Sequence, residues 1–309
     1  MRIGFGLPVS GSWATPENMI HVARRAEELG YHSLWTFQRL LTPADAAWGE
    51  PYRSVHDPLL PLAYVASATT RIRLAVAVVN LPFISPVVLA KQIATLDVLS
   101  GGRVDVGLGN GWADEEFIAT GATKRGLGRR AEEYLTLLKR LWTGEVVSHE
   151  GEFYRVPGMR LGPTPVQRPH PPLLLGAYVP SALRRAGRLC DGWVSSSRAD
   201  LSRLGEAAAE VRAGAEQAGR DPDTLRLVCR GPVKVRPTSG PHRVPLTGTL
   251  DQIREDIDAI AAQGMTDLFI DLNFDPEVGS PDADPAVSLR RADEALEAFA
   301  PDVPPDSRP

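Results

Sequence analysis

Side chains that can do chemistry follow six short apolar runs of the sequence, at the point where each run ends. Amides, hydroxyls, aromatic rings and small residues dominate this set, which is poor in acids and holds no histidine. The segments are residues 8–11, 37–39, 80, 110–112, 177–178 and 195–197. A hydrolase needs a nucleophile with a base, or paired carboxylates, so this set disfavours hydrolysis. It suits a bound aromatic cofactor that carries its own chemistry.

Several catalytic and binding signatures are missing from the sequence. There is no HExxH zinc motif, no GxSxG nucleophile elbow and no GxxxxGK[ST] phosphate loop, and the six histidines are scattered. The glycine run from Gly107 to Gly111 lacks the third glycine of a dinucleotide fingerprint, because Trp112 stands there. The pattern therefore predicts no metal site and argues against a dinucleotide-binding fold.

Each candidate side chain allows two interpretations. Trp112 either walls a ring system or packs in the core. Arg39, directly after the second apolar run, either contacts an anion or cofactor or is a solvated loop arginine. Gly176 and Ala177, just ahead of a helix at Ser181, either present backbone N–H groups to a phosphate or form an ordinary turn.

Two further segments also allow two interpretations each. Arg129 and Arg130, near a helix start, either bind a phosphate or pair with Glu132 and Glu133 on the surface. Tyr154 is either a lid residue or a docked structural residue. Asp57, just before Pro58, is typical of a helix cap.

The elements that position these residues follow from the apolar pattern, in which short buried runs alternate with longer amphipathic ones. Strands are predicted over residues 2–7, 32–35, 72–78, 103–109, 172–176, 192–194, 225–230 and 267–271. Helices are predicted over residues 16–29, 57–68, 86–99, 181–189, 201–218, 250–262 and 288–299, and one helix or a helix pair over 114–142. Eight strand–helix units in strict alternation predict a closed TIM (β/α)8 barrel, with a doubly wound sheet as the alternative.

Length and composition fit that architecture. The chain has 309 residues, a net charge of −4, and 43% hydrophobic and 23% charged residues, so it is globular. We expect one domain over residues 1–300, an inserted loop at about 144–171 and a flexible tail at 301–309. No basic cluster, long apolar run or signal peptide is present, which predicts a cytoplasmic protein without nucleic-acid or membrane partners. Cys190 and Cys229 match no metal or redox spacing and are expected to be buried thiols.

Four separated segments resemble the bacterial luciferase-like monooxygenases, and in particular their deazaflavin-dependent branch. They are LGYHSLWTFQRLL (29–41), PVVLAKQIATLDVLSGGRVDVGLGNGWADEEF (86–117), GEFYRV (151–156) and PPLLLGAYVPSALRRAGRLCDGWV (171–194). The resemblance runs in order from residue 1 to about 275. It implies a TIM barrel that binds coenzyme F420 or a flavin at its C-terminal face, and a homodimer.

The resemblance also implies roles for named residues. A bulge in the third strand, with a non-prolyl cis peptide, backs the cofactor ring near Val76 and Ala77. The cofactor phosphate is held by Gly176, Ala177 and Ser181, and by Arg129. The set of cofactor-binding residues is completed by two amides that border the ring, Asn80 and Asn110.

The sequence departs from the deazaflavin pattern at the catalytic positions. Many relatives carry Asp-His where Gln38 and Arg39 stand, and some carry a glutamate in place of Trp112. An arginine is no general base at neutral pH, but it can stabilise an enolate or an anionic reduced cofactor. Gln38, Arg39 and Trp112 are therefore the predicted catalytic residues.

The sequence is accordingly interpreted as an F420-dependent oxidoreductase that transfers a hydride to or from a small organic substrate. The first alternative is an FMN-dependent monooxygenase that uses O2 and a separate reductase. The second is a barrel that binds a cofactor or ligand without catalysis, and a hydrolase is least favoured. Substrate choice is expected to come from the loops at 37–57, 144–171 and 231–248.

Overall fold

Eight parallel strands close into a barrel in the computed structural model, which describes residues 1–45, 47–237, 240 and 243–301. The barrel strands are β1 (Arg2–Gly6), β2 (Ser33–Thr36), β3 (Arg73–Asn80), β4 (Val104–Gly109), β7 (Leu173–Gly176), β8 (Gly192–Val194), β9 (Arg226–Pro232) and β12 (Asp267–Asp271). Their order around the barrel is β1-β12-β9-β8-β7-β4-β3-β2, and each pairs in parallel with its neighbours. The predicted TIM barrel is confirmed, and the doubly wound alternative is wrong.

Helices follow the barrel strands on the outside. They are α1 (Pro16–Glu28), α2 (Leu60–Ala66), α3 (Pro86–Leu99), α4 (Asp114–Thr120), α5 (Leu127–Trp142), α6 (Pro180–Leu189), α7 (Leu204–Gln217), α8 (Leu250–Ala262), α9 (Pro276–Gly279) and α10 (Pro285–Ala298). The segment 114–142, predicted as one helix or a helix pair, is a pair, because Gly121 and Gly126 between the two helices adopt positive φ. Asp57 accepts hydrogen bonds from the backbone N–H groups of Leu59 and Leu60, so it holds the start of α2 as predicted, from two residues before the N-cap position Leu59.

The inserted segment at 144–171 contains a hairpin of β5 (Val147–Glu150) and β6 (Arg155–Met159). Glu133 of α5 accepts hydrogen bonds from the backbone N–H groups of Phe153 and Tyr154, and the Tyr154 ring packs edge-on against Tyr134. Tyr154 is thus a docked residue and not a lid. A shorter parallel pair, β10 (Lys234–Val235) with β11 (Thr247–Gly248), lies in the segment after β9.

The expectation of a flexible tail falls on residues 302–309, which lie outside the described part of the chain. In the described part, no helix is both long and apolar enough to cross a bilayer.

Charged side chains fill the N-terminal end of the barrel. Arg226 on β9 donates to Asp105 Oδ2 at 2.7 Å and to Asp267 Oδ1 at 2.9 Å. Arg73 also binds Asp105, and Arg2 also binds Asp267. Burial alone raises the pKa of both carboxyls, but the attraction of the arginines outweighs it and holds each pKa below its usual value.

Stability is therefore expected to decline in acid. Below about pH 5 the unfolded chain binds protons at these two carboxyls before the folded chain does, and each such proton costs about 1.4 kcal/mol per pH unit. Asp105→Asn is expected to flatten the fall in unfolding free energy between about pH 5 and 3. Urea denaturation at a series of pH values measures this slope. The exposed Asp251→Asn serves as control, and equal slopes in D105N and wild type would contradict the prediction.

The two cysteines are buried and unpaired with each other, as expected. Burial raises the pKa of the Cys190 and Cys229 thiols to about 12. Because the thiolate is the reactive form, we expect the native protein to release no chromophore from an aromatic disulfide reagent at neutral pH. The same protein in guanidinium should titrate two thiols per chain. A thiol that reacts at full rate without denaturant would show that one site opens readily.

Candidate active site

A cavity of about 390 Å³ opens at the C-terminal mouth of the barrel. Its wall comes from the loops after β2, β4, β7 and β8, from the ends of β3 and β9, from the starts of α5 and α6, and from Phe274 after β12. A larger recess of about 730 Å³ continues outward between the β7–α6 and β8–α7 loops, and Tyr52, Trp112, Ala177 and Tyr178 line both. No described residue of 144–171 or 231–248 lines either space, whereas residues 37–39 and Tyr52 line the inner one. Of the three loops expected to shape the pocket, only 37–57 does so in the described structure.

The floor of the cavity is a bulge in β3. The register against β4 shifts between Val76 and Val79, and the Ala77–Val78 peptide bond is cis. The expected bulge and non-prolyl cis bond are present, with the cis bond one position later than Val76–Ala77. Gly107 of β4 makes room for the bulge, since a Cβ there would lie 2.0 Å from the Val76 carbonyl oxygen.

Arg230, near the end of β9, holds this floor. Its Nη1 donates to the Ala77 carbonyl at 3.0 Å, and its Nε donates to Asp271 Oδ2 at 2.9 Å. Phe274 and Phe37 flank the guanidinium, with ring centroids 4.3 and 4.8 Å from Cζ. A buried ion pair thus fixes the carbonyl of the peptide unit that faces the cavity.

Polar contacts also fix the side of the cavity next to β3. Gln38 Oε1 accepts a hydrogen bond from the backbone N–H of Asn80 at 2.9 Å. Its side-chain carbonyl is therefore occupied, and its amide NH2 is the group left to face the cavity that Gln38 lines. This orientation makes Gln38 a hydrogen-bond donor toward a ligand.

Arg39 is buried beside the cavity in a cluster of aromatic rings. Its Nη1 donates to Glu116 Oε2 at 2.7 Å, and its Cζ lies 4.8–4.9 Å from the ring centroids of Trp48, Tyr52 and Trp112. Burial lowers the pKa of Arg39, while the Glu116 carboxylate opposes that shift. The solvated-loop interpretation of Arg39 is wrong, because its side chain is 5% exposed.

The opposite part of the cavity is built for an anion. Leu127 and Gly128 at the start of α5 and Ser181 at the start of α6 line it together with Arg185. Neither helix has a side-chain N-cap, so the first backbone N–H groups of both are without that partner. Two helix N-termini and one guanidinium provide donors and positive potential of the kind that binds phosphate.

Nine of the eleven predicted site residues line this cavity. They are Gln38, Arg39, Ala77, Asn80, Asn110, Trp112, Gly176, Ala177 and Ser181. Val76 does not, because it is fully buried in the core between barrel and helices. Arg129 does not either, because its side chain is 70% exposed and pairs with Glu152.

Four lining or supporting residues were missed by the sequence analysis: Arg185, Arg230, Glu116 and Tyr52. Arg230 had a usable signal, since it ends a predicted strand two residues after the inward-facing Val228. For Arg185, one turn into a helix, the only sequence signal is its positive charge. No local sequence pattern identifies Glu116 or Tyr52 as residues of the site.

The described lining restricts the chemistry of the site. It contains three arginines, Arg39, Arg185 and Arg230, and no histidine or carboxylate. The walls offer hydrogen-bond donors, aromatic rings and an anion site, which fit a flat cofactor with a phosphate arm. Because this inner lining has no carboxylate or imidazole, it is suited to positioning and desolvating a ligand that carries its own chemistry.

Comparison with known proteins agrees with this geometry. The family model for luciferase-like monooxygenases matches residues 3–240. The chain belongs to the luciferase-like monooxygenase family. Membership in this family makes it an oxidoreductase, and the family resemblance found in the sequence is confirmed.

Relatives within the luciferase-like monooxygenases use either of two cofactors. The F420-dependent hydroxymycolic acid dehydrogenase of Mycobacterium tuberculosis is 31% identical over 226 residues, which are 72% of this chain and 60% of that protein. The oxygenase component of the flavin-dependent trigonelline monooxygenase of Acinetobacter baylyi is 30% identical over 168 residues, 54% of this chain and 44% of that protein. Among solved structures, monooxygenase RslO1 from Streptomyces bottropensis superposes with a TM-score of 0.79 at 25% identity, covering 97% of this chain and 98% of that one.

Proposed function

We propose that the protein is an F420-dependent oxidoreductase that transfers a hydride between the deazaflavin and a small organic substrate. The observation that carries a redox cofactor is a mouth cavity whose charged lining is arginine only, over a floor held by Arg230. When bound, a deazaflavin supplies a ring carbon that donates or accepts a hydride. The relative named for F420 also matches more of the chain than the relative named for flavin.

The residues of the chain would divide the work of binding. Arg185 and the N-termini of α5 and α6 would hold the phosphate. The Ala77–Val78 peptide would back the ring, with its carbonyl fixed by Arg230. Gln38 would direct its amide NH2 at a carbonyl oxygen of the ligand. Arg39 is bound to Glu116, so it would act as a fixed cation beside the ring and not as a proton donor.

An FMN-dependent monooxygenase is the second candidate. It is favoured by the likeness to RslO1, which extends over 97% of the chain. The cavity fits this cofactor equally, since FMN also combines a flat ring system with a phosphate. A monooxygenase of this kind would require a separate reductase to supply the reduced flavin.

Equilibrium binding of the purified protein to F420 and to FMN, each oxidised and reduced, tests the proposal. Selective binding of F420, followed by substrate turnover without O2, is the expected result. Selective binding of reduced FMN would transfer the assignment to a monooxygenase. Failure to bind either cofactor below millimolar concentration would favour a barrel that binds another ligand without redox chemistry.

We also propose a homodimer, with α2 and α3 as the contact surface. These neighbouring helices expose large apolar side chains, including Leu60 at 70% and Leu99 at 65%. Light scattering should give a mass near twice the 33.4 kDa of one chain. Leu60→Glu is expected to shift the protein to monomers, whereas Ile118→Glu, at an equally exposed position on α4, should not. A monomeric wild type would refute the proposal.

A further inference from the structure

Two guanidinium groups lie against one indole ring at the edge of the cavity. Arg39 Cζ is 4.8 Å and Arg198 Cζ is 4.9 Å from the Trp112 ring centroid. Arg39 comes from the loop after β2 and is buried, whereas Arg198 follows β8 and is exposed at the rim. Two chain segments thus bring like charges to the same ring.

The carboxylates nearby do not balance these charges. Glu116 uses Oε2 for Arg39 and Oε1 for the backbone N–H of Leu40, so both of its oxygens are occupied. Within the described part of the chain, Arg198 forms no ion pair, and its charge adds to the burial that lowers the pKa of Arg39. Three carboxylates also line the outer recess, but Glu206 pairs with Arg203, Glu210 pairs with Arg184 and Asp200 accepts from Ser202. At the Trp112 ring itself, two guanidinium groups and one carboxylate leave a net positive charge.

One donor of this group also lacks a partner. Arg39 Nε is buried and makes no hydrogen bond, although the residue as a whole is only 8% exposed and lines the cavity. That Nε is closed to the cavity, and Nη1 is used by Glu116, so a ligand oxygen would bind at Nη2, which makes no hydrogen bond within the described part of the chain.

The surroundings of this charge are aromatic. Trp48 and Trp112 lie 5.0 Å apart, and Tyr52 contacts both Trp112 and Phe274. Tyr52 and Trp112 line both the inner cavity and the outer recess, so a ligand between the two spaces meets ring faces. Flat, conjugated ligands bury apolar area against such walls.

We propose that this end of the site binds the organic substrate as a planar aromatic carboxylate, with its oxyanion at Arg39 and Arg198 and its ring against Trp112 and Tyr52. The assignment rests on the proposed function, in which the cofactor phosphate occupies the separate Arg185 end. Arg39 follows β2 and Arg198 follows β8, whereas Arg185 lies on α6 after β7.

The test uses 2-naphthoate and its neutral isostere 2-naphthamide as probes. Calorimetric titration of the wild-type protein is expected to give at least roughly tenfold tighter binding of the carboxylate, as for charge-assisted hydrogen bonds. Arg198→Gln should abolish most of this preference. Arg203→Gln is the matched control, because Arg203 is also exposed and lines the outer recess, but it is paired with Glu206. Equal affinities for the two probes in the wild type, or equal losses in R198Q and R203Q, would overturn the proposal.

A second titration distinguishes failure of the substrate proposal from failure of the cofactor proposal. The titration is repeated with F420 or FMN at saturation, and we expect the preference for 2-naphthoate to persist. Complete displacement of 2-naphthoate by either cofactor would assign the arginines to a cofactor anion and overturn the substrate assignment. If neither cofactor binds while 2-naphthoate retains its preference, the cofactor proposal fails and the anion site stands.

Discussion

Replacing Arg185 by glutamine is expected to weaken cofactor binding by roughly 10- to 100-fold, the range that a hydrogen bond to a charged group provides. Arg185 lines the cavity beside Gly128, where a Cβ would lie 2.7 Å from its Nη2. It is therefore the cation that lines the cavity together with the starts of α5 and α6, where the phosphate site is predicted. Fluorescence titration of the variant with F420 and with FMN measures the loss.

Arg188 provides a matched control for this prediction. Arg185 and Arg188 both donate to Glu132 Oε1, but only Arg185 lines the cavity. Arg188→Gln changes the same surface ion-pair network and the same net charge, so the cofactor affinity should stay close to that of the wild type. Equal effects of the two substitutions would mean that the phosphate is held elsewhere or that only long-range charge matters.

Of the two residues predicted to form the cavity floor, Ala77 lines the cavity and Val76 does not. Side chains of a strand alternate between the two faces of the sheet, so only one of two successive residues points into a barrel. Ala77 packs inside with Ala75 and Val228, and Val76 packs outside against the helices. A sequence motif locates the bulge along the chain. Which of the two side chains points into the barrel depends on the register of β3 with β2 and β4.

The same limit applies to the anion site on helices. Gly128 and Arg129 are neighbours in sequence but lie about 100° apart around α5. Gly128 faces the cavity, so Arg129 is directed to solvent, where it meets Glu152. The basic residue that does face the cavity, Arg185, comes from α6, and only the packing of the two helices reveals this.

Arg39 and Glu116 illustrate what no local pattern provides. They are 77 residues apart and meet because the loops after β2 and β4 converge at the barrel mouth. The strand-end rule correctly brought Gln38, Asn80, Asn110 and Ala177 to one cavity, since it follows from the topology alone. Ion pairs between loops depend on side-chain packing, which the sequence alone does not give. The sequence therefore predicts the location of the site better than the partners of its charged residues.

Replacing Arg230 by methionine is expected to lower the free energy of unfolding by about 3–5 kcal/mol, as for other buried ion pairs that lose one partner. Arg230 is 7% exposed, and Asp271, which accepts from its Nε and Nη2, is 1% exposed. The methionine variant leaves this carboxylate without its cation and the Ala77 carbonyl without its donor. Urea denaturation in the absence of cofactor measures the loss.

A double-mutant cycle separates the charge from the positioning of the floor. Asp271→Asn removes the charge but keeps an Oδ1 acceptor for Asn273, so R230M/D271N should recover more than about 1 kcal/mol of the R230M loss. Cofactor affinity should stay low in the double variant, because the Ala77 carbonyl still lacks its donor. If affinity returned along with stability, Arg230 would serve only to neutralise Asp271. If stability did not return, the loss would come from the aromatic packing of Arg230 against Phe37 and Phe274, and not from an uncompensated carboxylate.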